Sequence, residues 1–224
     1  MNKQSLFNFI EIQLVSILHQ KQKPVRVAIN GIEGTGKTCF ANELQEYLSS
    51  KENPVIHVSI DGFHYNKTHR YKQGKDSAVG YYQDAYDENS FTQKVLLASQ
   101  QEPPTITTAT HDLETDEYLN LAPIEIPKNT ILITDGAYLF KSTYLPHWDF
   151  KVYLKTDFET AQDRGIKRDA ELLGGIELAK EKYINRYHLA SKIYIEENNP
   201  ESIADLLIDN TDYDNPEIIH FDNE

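Results

Sequence analysis

The sequence predicts an α/β protein whose centre is a doubly wound parallel sheet of about five strands with helices on both faces. Three observations carry that expectation. Short β-rich apolar runs alternate with stretches of helical periodicity. Several of those runs are apolar without alternation, as strands covered on both faces must be. A glycine-rich turn joins the first run directly to a helical stretch, the order expected of a strand–loop–helix unit.

Taken in order, the first element is a helix over 1–22. Phe7, Ile10, Leu14 and Leu18 recur at helical spacing, while Asn8, Glu11 and Gln13 interrupt the apolar stretch. No small-residue cleavage site follows, so the segment reads as a packing helix rather than a secretory leader. Strands are expected at Val25–Asn30, Val55–Ile60, Ile131–Thr134, Phe150–Leu154 and Leu206–Ile208. Helices are expected at Lys37–Leu48, with Phe40, Leu44, Tyr47 and Leu48 on one face, and at Ser90–Ala98, Phe158–Leu173 and Ile176–Glu197. Residues 62–127 break this rhythm and read as a substrate-facing segment. Its latter part carries Pro103, Pro104, Pro123 and Pro127 around two β-prone pieces, Thr105–Thr110 and Leu121–Ile126, and predicts a small β-hairpin insertion. Residues 158–198 predict a helical lid and its following helix, and the acidic tail 210–224 predicts a loosely held end. The whole of 1–224 is read as one domain.

Composition narrows the function. The 224 residues are 39% hydrophobic and 25% charged, a balance that supports a proper core. Lys plus Arg number 22 against 35 Asp plus Glu, a net charge of −13, which argues against general nucleic-acid binding. The single Cys39 excludes a disulfide framework within the chain and a Cys-rich zinc site. No stretch approaches the ~20 apolar residues of a membrane span. A cytoplasmic protein without membrane or nucleic-acid partners is expected, with room for a homo-oligomer.

One motif decides the chemistry. Gly31-Ile32-Glu33-Gly34-Thr35-Gly36-Lys37-Thr38 matches the phosphate-binding pattern GxxxxGK[ST] at every required position, between an apolar strand and an amphipathic helix. Gly31, Gly34 and Gly36 let the backbone of Glu33, Thr35 and their neighbours curl so that N–H groups face a phosphate. Lys37 reaches the β- and γ-phosphates, and the Thr38 hydroxyl joins the shell of Mg²⁺ bound with ATP. Two later strands end in acids. Asp61 follows the second strand, where it either accepts the proton of an attacking hydroxyl or holds Mg²⁺ through water. Asp135 closes Ile131-Leu132-Ile133-Thr134-Asp135-Gly136 and suits a metal-orienting role beside Thr38.

Asp61-Gly62-Phe63-His64, Asp135-Gly136-Ala137-Tyr138 and the Arg-rich stretch Asp163-Arg164-Gly165-Ile166-Lys167-Arg168-Asp169 follow the phosphate loop in that order. The set resembles the uridine kinase and phosphoribulokinase family of P-loop kinases, over about Val25 to Asn210. The resemblance implies a P-loop NTPase fold, a general base at Asp61, a metal-organising acid at Asp135 and lid arginines at Arg164 and Arg168. Residues 164 and 168 lie one helical turn apart, so both guanidiniums are expected to close on the phosphates, with Arg186 joining from the next helix.

Gly80-Tyr81-Tyr82-Gln83-Asp84-Ala85-Tyr86-Asp87 resembles the uridine kinase segment that supplies a ribose-binding Asp. It makes Asp84 an acceptor for sugar hydroxyls and Tyr82 a stacking or packing ring, with His64, His111 and Arg186 further substrate contacts. The chain departs from that family at His111-Asp112-Leu113 and Asp116, where an aromatic face is lost and an acid replaces a His. Lys67, Arg70, Lys72 and Lys75 lie in 62–75, a span with no acid, and suit either steering of ATP or an acceptor that already carries a phosphate. The function implied is ATP-dependent transfer of a γ-phosphoryl group to a hydroxyl, with the 5′-hydroxyl of a nucleoside the favoured acceptor. A sugar phosphate, a pantothenate-like alcohol and a regulatory ATPase stand as the alternatives.

Overall fold

The computed structural model describes residues 2–222. In chain order it runs α1 (Lys3–Lys21), β1 (Val25–Asn30), α2 (Lys37–Ser49), β2 (Val55–His57), α3 (Lys67–Arg70), α4 (Ala78–Asp84), α5 (Glu88–Phe91), β3 (Thr105–Ile106), β4 (His111–Asp112), β5 (Glu117–Tyr118), β6 (Ile124–Glu125), β7 (Ile131–Gly136), β8 (Phe150–Lys155), α6 (Phe158–Asp169), α7 (Ile176–Lys182), α8 (His188–Asn198), α9 (Pro200–Ile203), β9 (Leu206–Asp209) and β10 (Glu217–Phe221). The main sheet has the order β10-β9-β8-β1-β7-β2. The four pairings among its five strands from β9 to β2 are parallel, as the doubly wound reading expects, and β10 adds one antiparallel edge strand.

Register places the chemistry. β1 and β7 run level, with Ile29 beside Asp135 and Asn30 beside Gly136. The last acid of β7 therefore stands next to the residue pair that leads into the phosphate loop. Every residue of β1 and β7 is buried, which is why neither shows a two-residue alternation. One sheet face packs against α1 and α2 through Leu6, Phe7, Ile10 and Leu14 against Phe40 and Leu44, the rings of Phe7 and Phe40 meeting edge to face at 5.3 Å. Each such side chain contributes about 1.5–3 kcal/mol on burial. The opposite face packs against 78–100 and α8 and is rich in tyrosine: Tyr82, Tyr138, Tyr144 and Tyr194.

An ion cluster ties both ends of this arrangement. Arg26 on β1 donates from Nε and Nη2 to the two oxygens of Asp149, at 3.0 and 3.1 Å, and Lys21 at the end of α1 reaches the same carboxylate at 2.6 Å. It fixes where β8 begins relative to α1 and β1.

The structure corrects several sequence boundaries. β2 is three residues long, and Ile60–Phe63 is a 3-10 turn capped by Ser59, so Asp61 sits on a turn after the strand. The cause is a close approach: Ile60 packs where Gly136 has no side chain, and a Cβ there would lie 2.2 Å from Ile60 Cγ2. α6 ends at Asp169 instead of running to Leu173, because Gly174 and Gly175 (φ +89° and +122°) turn the chain. α7 continues through a π-turn, Tyr183–Tyr187, into α8. That extra residue lays the Tyr183 ring on Gly165 of α6 and turns Arg186 inward, leaving it 3% exposed. The helix expected at Ser90–Ala98 begins at Glu88 and also passes through a π-turn. The insertion is a nested pair of short ladders, β3 with β6 and β4 with β5. The tail is not simply a loose end: Glu217–Phe221 pairs with β9. Residues 223–224 of that tail lie outside the described residues. No helix among the described residues is long and apolar enough to cross a membrane.

Candidate functional site

The phosphate loop follows β1 without slack. Gly34 and Gly36 have φ of +87° and +94°, and a Cβ at Gly34 would stand 1.9 Å from the Ala161 carbonyl oxygen, so glycine is required there. Gly36 caps α2 with no side-chain hydrogen bond, which leaves first-turn N–H groups open for an anion. Thr35 Oγ1 donates to the Ile32 carbonyl at 2.7 Å, and Asn210 Nδ2 donates to the Thr35 carbonyl at 2.8 Å. Lys37 Nζ donates to the Ile32 carbonyl at 2.9 Å. Burial pushes the Lys37 ammonium below its ordinary range, while Glu33, Asp135 and Asp61 pull it back in part. Glu33 is itself anchored from α8, where Ser191 Oγ donates to Oε2 at 2.6 Å and His188 Nε2 approaches the Glu33 carbonyl at 3.1 Å.

Thr38 and Asp135 meet across the sheet edge. Thr38 Oγ1 donates to Asp135 Oδ2 at 2.5 Å, and His57 Nε2 lies 2.7 Å from Oδ1. The other His57 nitrogen faces Asn42 Oδ1 at 3.0 Å. A hydroxyl and a carboxylate aimed together are the oxygen donors a hard cation takes, and the remaining ligands of Mg²⁺ come from nucleotide and water. The donor set therefore fits magnesium. Sequence reasoning missed His57, which read as a mid-strand residue; the structure ends β2 there and sets it beside Ile133 of β7.

Asp61 lies at the open side of the cleft, its side chain 55% exposed. Tyr86 donates its hydroxyl to Oδ1 at 3.2 Å, and His64 Nε2 stands 3.5 Å from the same oxygen. His64 is held in turn by the Ala85 carbonyl at 2.8 Å and by stacking on Tyr86 at 4.2 Å. Surrounding protein favours the neutral acid, but the His64 contact, the Lys37 charge and the Tyr86 hydrogen bond outweigh it and hold the carboxyl at about 2. Asp61 is an ionised acceptor at any working pH.

The two lid arginines part company. Arg168 pairs with Asp169 at 2.7 and 2.9 Å and its charge reaches Lys37 and Asp61. Arg164 instead donates to the Asn210 and Thr211 carbonyls at 2.9 and 2.7 Å, holding the loop after β9 against the phosphate loop. The expectation that both guanidiniums close together on phosphate is therefore corrected for this state. One is paired with a carboxylate and the other is spent on backbone.

The expected acceptor contacts also divide. Asp84 accepts from Lys72 Nζ at 2.8 Å and from Gln73 Nε2 at 2.7 Å, so the protein already occupies both its oxygens. Tyr82 is a core ring, edge-on to Tyr138 at 5.2 Å, with its hydroxyl donating to Glu197 at 2.8 Å. His111 is buried with neither ring nitrogen hydrogen-bonded, and its nearest acid is Asp116 at 3.4 Å. Burial and the Arg70 charge push its imidazolium form to lower pH. Arg70 pairs with Asp116 at 3.2 Å. Two cations of the acid-free segment are thus matched by acids from outside it. Arg186 is surrounded by tyrosine rings and joins neither lid arginine.

No protein-family model matches the chain. In sequence it is similar to a uridine kinase of Clostridium novyi (strain NT), 22% identical over 188 residues, which are 83% of this chain and 87% of that one. In structure it is similar to a possible uridine kinase from Bacillus stearothermophilus, at TM-score 0.65 and 20% identity, covering 88% of this chain and 98% of that one. It is also similar to a candidate fructose transport system kinase from Silicibacter sp. TM1040, at TM-score 0.68, 18% identity and coverage of 88% and 95%. D-glycerate 3-kinase from Cryptococcus neoformans matches at TM-score 0.58 and 12% identity, over 83% of this chain and 87% of that one. The fold is that of P-loop kinases, and the resemblance to the uridine kinase type read from the motifs is borne out.

Proposed function

We propose that this chain, with the fold of uridine-kinase-type P-loop kinases, is an ATP-dependent phosphotransferase that acts on a hydroxyl of a small molecule. The observation that carries this reading is the pairing of Thr38 with Asp135 near Lys37, with the ionised Asp61 also within reach of the Lys37 charge. The loop N–H groups and Lys37 hold the β- and γ-phosphates. Thr38 and Asp135, oriented by His57, hold Mg²⁺, which when bound neutralises charge on the phosphate oxygens.

Asp61 takes the acceptor. A carboxylate held at about 2 is too weak a base to strip an alcohol before attack. It receives a hydrogen bond from the hydroxyl, orients an oxygen lone pair toward phosphorus and collects the proton late. That timing suits a loose phosphoryl-transfer transition state, in which the nucleophile bonds little before the leaving group departs. Arg168, released from Asp169, stabilises charge on the transferring group.

The named relatives differ in acceptor, and their shared chemistry is the phosphorylation of an alcohol. The test is a screen for acceptor-stimulated ADP release from Mg·ATP with nucleosides, sugars, sugar phosphates and hydroxy acids. Stimulation by at least one class is expected. ADP release that no acceptor changes would turn the reading to a regulatory ATPase.

A further inference from the structure

Arg186 is an unusual cation. Its residue is 3% exposed, its Nε is buried without a hydrogen-bond partner, and among the described residues no carboxylate forms an ion pair with it. Its guanidinium carbon lies 4.9 Å from the Tyr71 ring centre, 4.8 Å from Tyr81 and 5.8 Å from Tyr187. Aromatic faces soften the cost of burying a guanidinium but do not neutralise it. A chain with a net charge of −13 has acids to spare, yet among the described residues none stands within ion-pair distance of this guanidinium.

Arg186 lines a cavity of about 250 Å³ with Lys75 and Lys182, between the loop before α4 and α7 with the turn that follows it. Asp76 and Glu181 also line it, and neither pairs with any of these three cations. Burial, with the Arg186 and Lys75 charges, pushes the Lys182 ammonium down against a weaker opposing pull from Tyr71 and Asp76. The cavity thus holds three cations against two acids.

Tyr81 stands between this cavity and the reacting end of the cleft, within electrostatic reach of both Arg186 and Asp61. Tyr81, beside Arg186, meets Tyr138 at 6.1 Å. Tyr138 meets Tyr86 at 6.3 Å, and the Tyr86 hydroxyl holds Asp61. Asp84, the carboxylate that would read a neutral sugar, already accepts one hydrogen bond at each oxygen, from Lys72 and Gln73.

Building on the phosphotransferase reading, we infer that the acceptor carries an anionic group, a carboxylate or a phosphate, which Arg186 and Lys182 bind in this cavity while its hydroxyl lies at Asp61. The guanidinium then gains the counter-anion its burial lacks, through charge-assisted hydrogen bonds. Tyr71 and Tyr81 keep it aimed.

The experiment is titration calorimetry on the full chain with Mg²⁺ and a non-hydrolysable ATP analogue filling the phosphate loop. Two matched pairs serve as probes, D-glycerate with glycerol and ribose 5-phosphate with ribose, beside uridine. At least one anionic member is expected to bind about tenfold or more tighter than its neutral partner. Arg186→Gln is expected to abolish that margin, and the half-buried Lys182→Ala to reduce it about threefold or more. Nucleotide affinity reports whether each variant is folded, and Lys182→Ala carries the test if Arg186→Gln is not. Equal binding within both pairs, no binding by either anion, or a margin that survives both substitutions overturns the inference. ADP release judges the kinase reading apart from this. Anion binding without turnover overturns only that reading, whereas turnover of uridine with no anion preference overturns only the anionic site.

Discussion

Thr38 Oγ1 donates to Asp135 Oδ2 at 2.5 Å, joining the first turn of α2 to the end of β7. The bond exists because the parallel β1–β7 register sets Asp135 beside Ile29, immediately before the phosphate loop. His57 locks the other oxygen of the carboxylate at 2.7 Å, so the group presents a fixed edge. Removing that lock is expected to loosen the metal site, because the carboxylate is then free to turn. His57→Ala should weaken Mg²⁺-dependent ATP binding about 10–100-fold. A Mg²⁺ titration of ATP affinity measures it, and an unchanged curve would detach His57 from the metal site.

The two arginines of α6 make separable predictions. Arg168→Met is expected to lower kcat by about 10²–10³ with little change in ATP affinity, since its contact matures on the transferring phosphoryl group. Arg164→Met is expected to act through the loop at 210–211, which it holds by two carbonyl bonds. It should raise the KM for ATP about tenfold and leave kcat nearly intact. Steady-state kinetics on both variants decide, and a shared kcat defect would show that Arg164 also reaches the phosphates.

Asp149 anchors stability. Burial alone would raise its carboxyl, but the Arg26 hydrogen bond and charge, with Lys21, bring it below the ordinary range. The folded value therefore lies under the unfolded ~3.9. The stabilisation is complete above that value and disappears as pH falls through the folded value. Asp149→Ala leaves Arg26 buried without its partner and should cost about 3–5 kcal/mol. Urea unfolding at neutral pH measures the loss, and the gap between variant and parent should narrow at the acid end.

Much of this was legible because its signals are local. The phosphate loop, the acid–glycine ends of β7 and the packing face of α1 each declare themselves within about ten residues. What escaped depends on distant partners. Nothing near Asp84 announces that Lys72 and Gln73 occupy it, and nothing in the 164–168 spacing shows that Arg164 turns to the β9 loop. β10 was hidden for another reason. It is a half-exposed edge strand whose register shifts between Ile218 and His220, so its apolar residues never form a clean alternation. Asp61 was found, but its turn was not, since the contact of Ile60 with Gly136 joins segments more than seventy residues apart.

The electrostatics of Asp61 give a pH prediction. With its carboxyl at about 2, acceptor-dependent kcat/KM should show no limb from this group near the ordinary carboxylate value of ~3.9. His64→Ala removes the largest stabiliser of the ionised form, so the group should rise and bring an acid limb into the measurable range. Profiles of parent and variant from mildly acidic to neutral pH test this, and coincident limbs would contradict it.

The central claim is that Asp61 receives the acceptor while Lys37, Thr38 and Asp135 hold the nucleotide. The most direct measurement pairs acceptor-dependent kcat with Mg·ATP affinity for Asp61→Asn. Losing a positioned proton acceptor should lower kcat about 10²–10⁴-fold, with Mg·ATP affinity held within a factor of about two because the nucleotide ligands are untouched. Acceptor-dependent turnover close to that of the parent, or a loss of Mg·ATP affinity as large as the loss of turnover, would contradict the account.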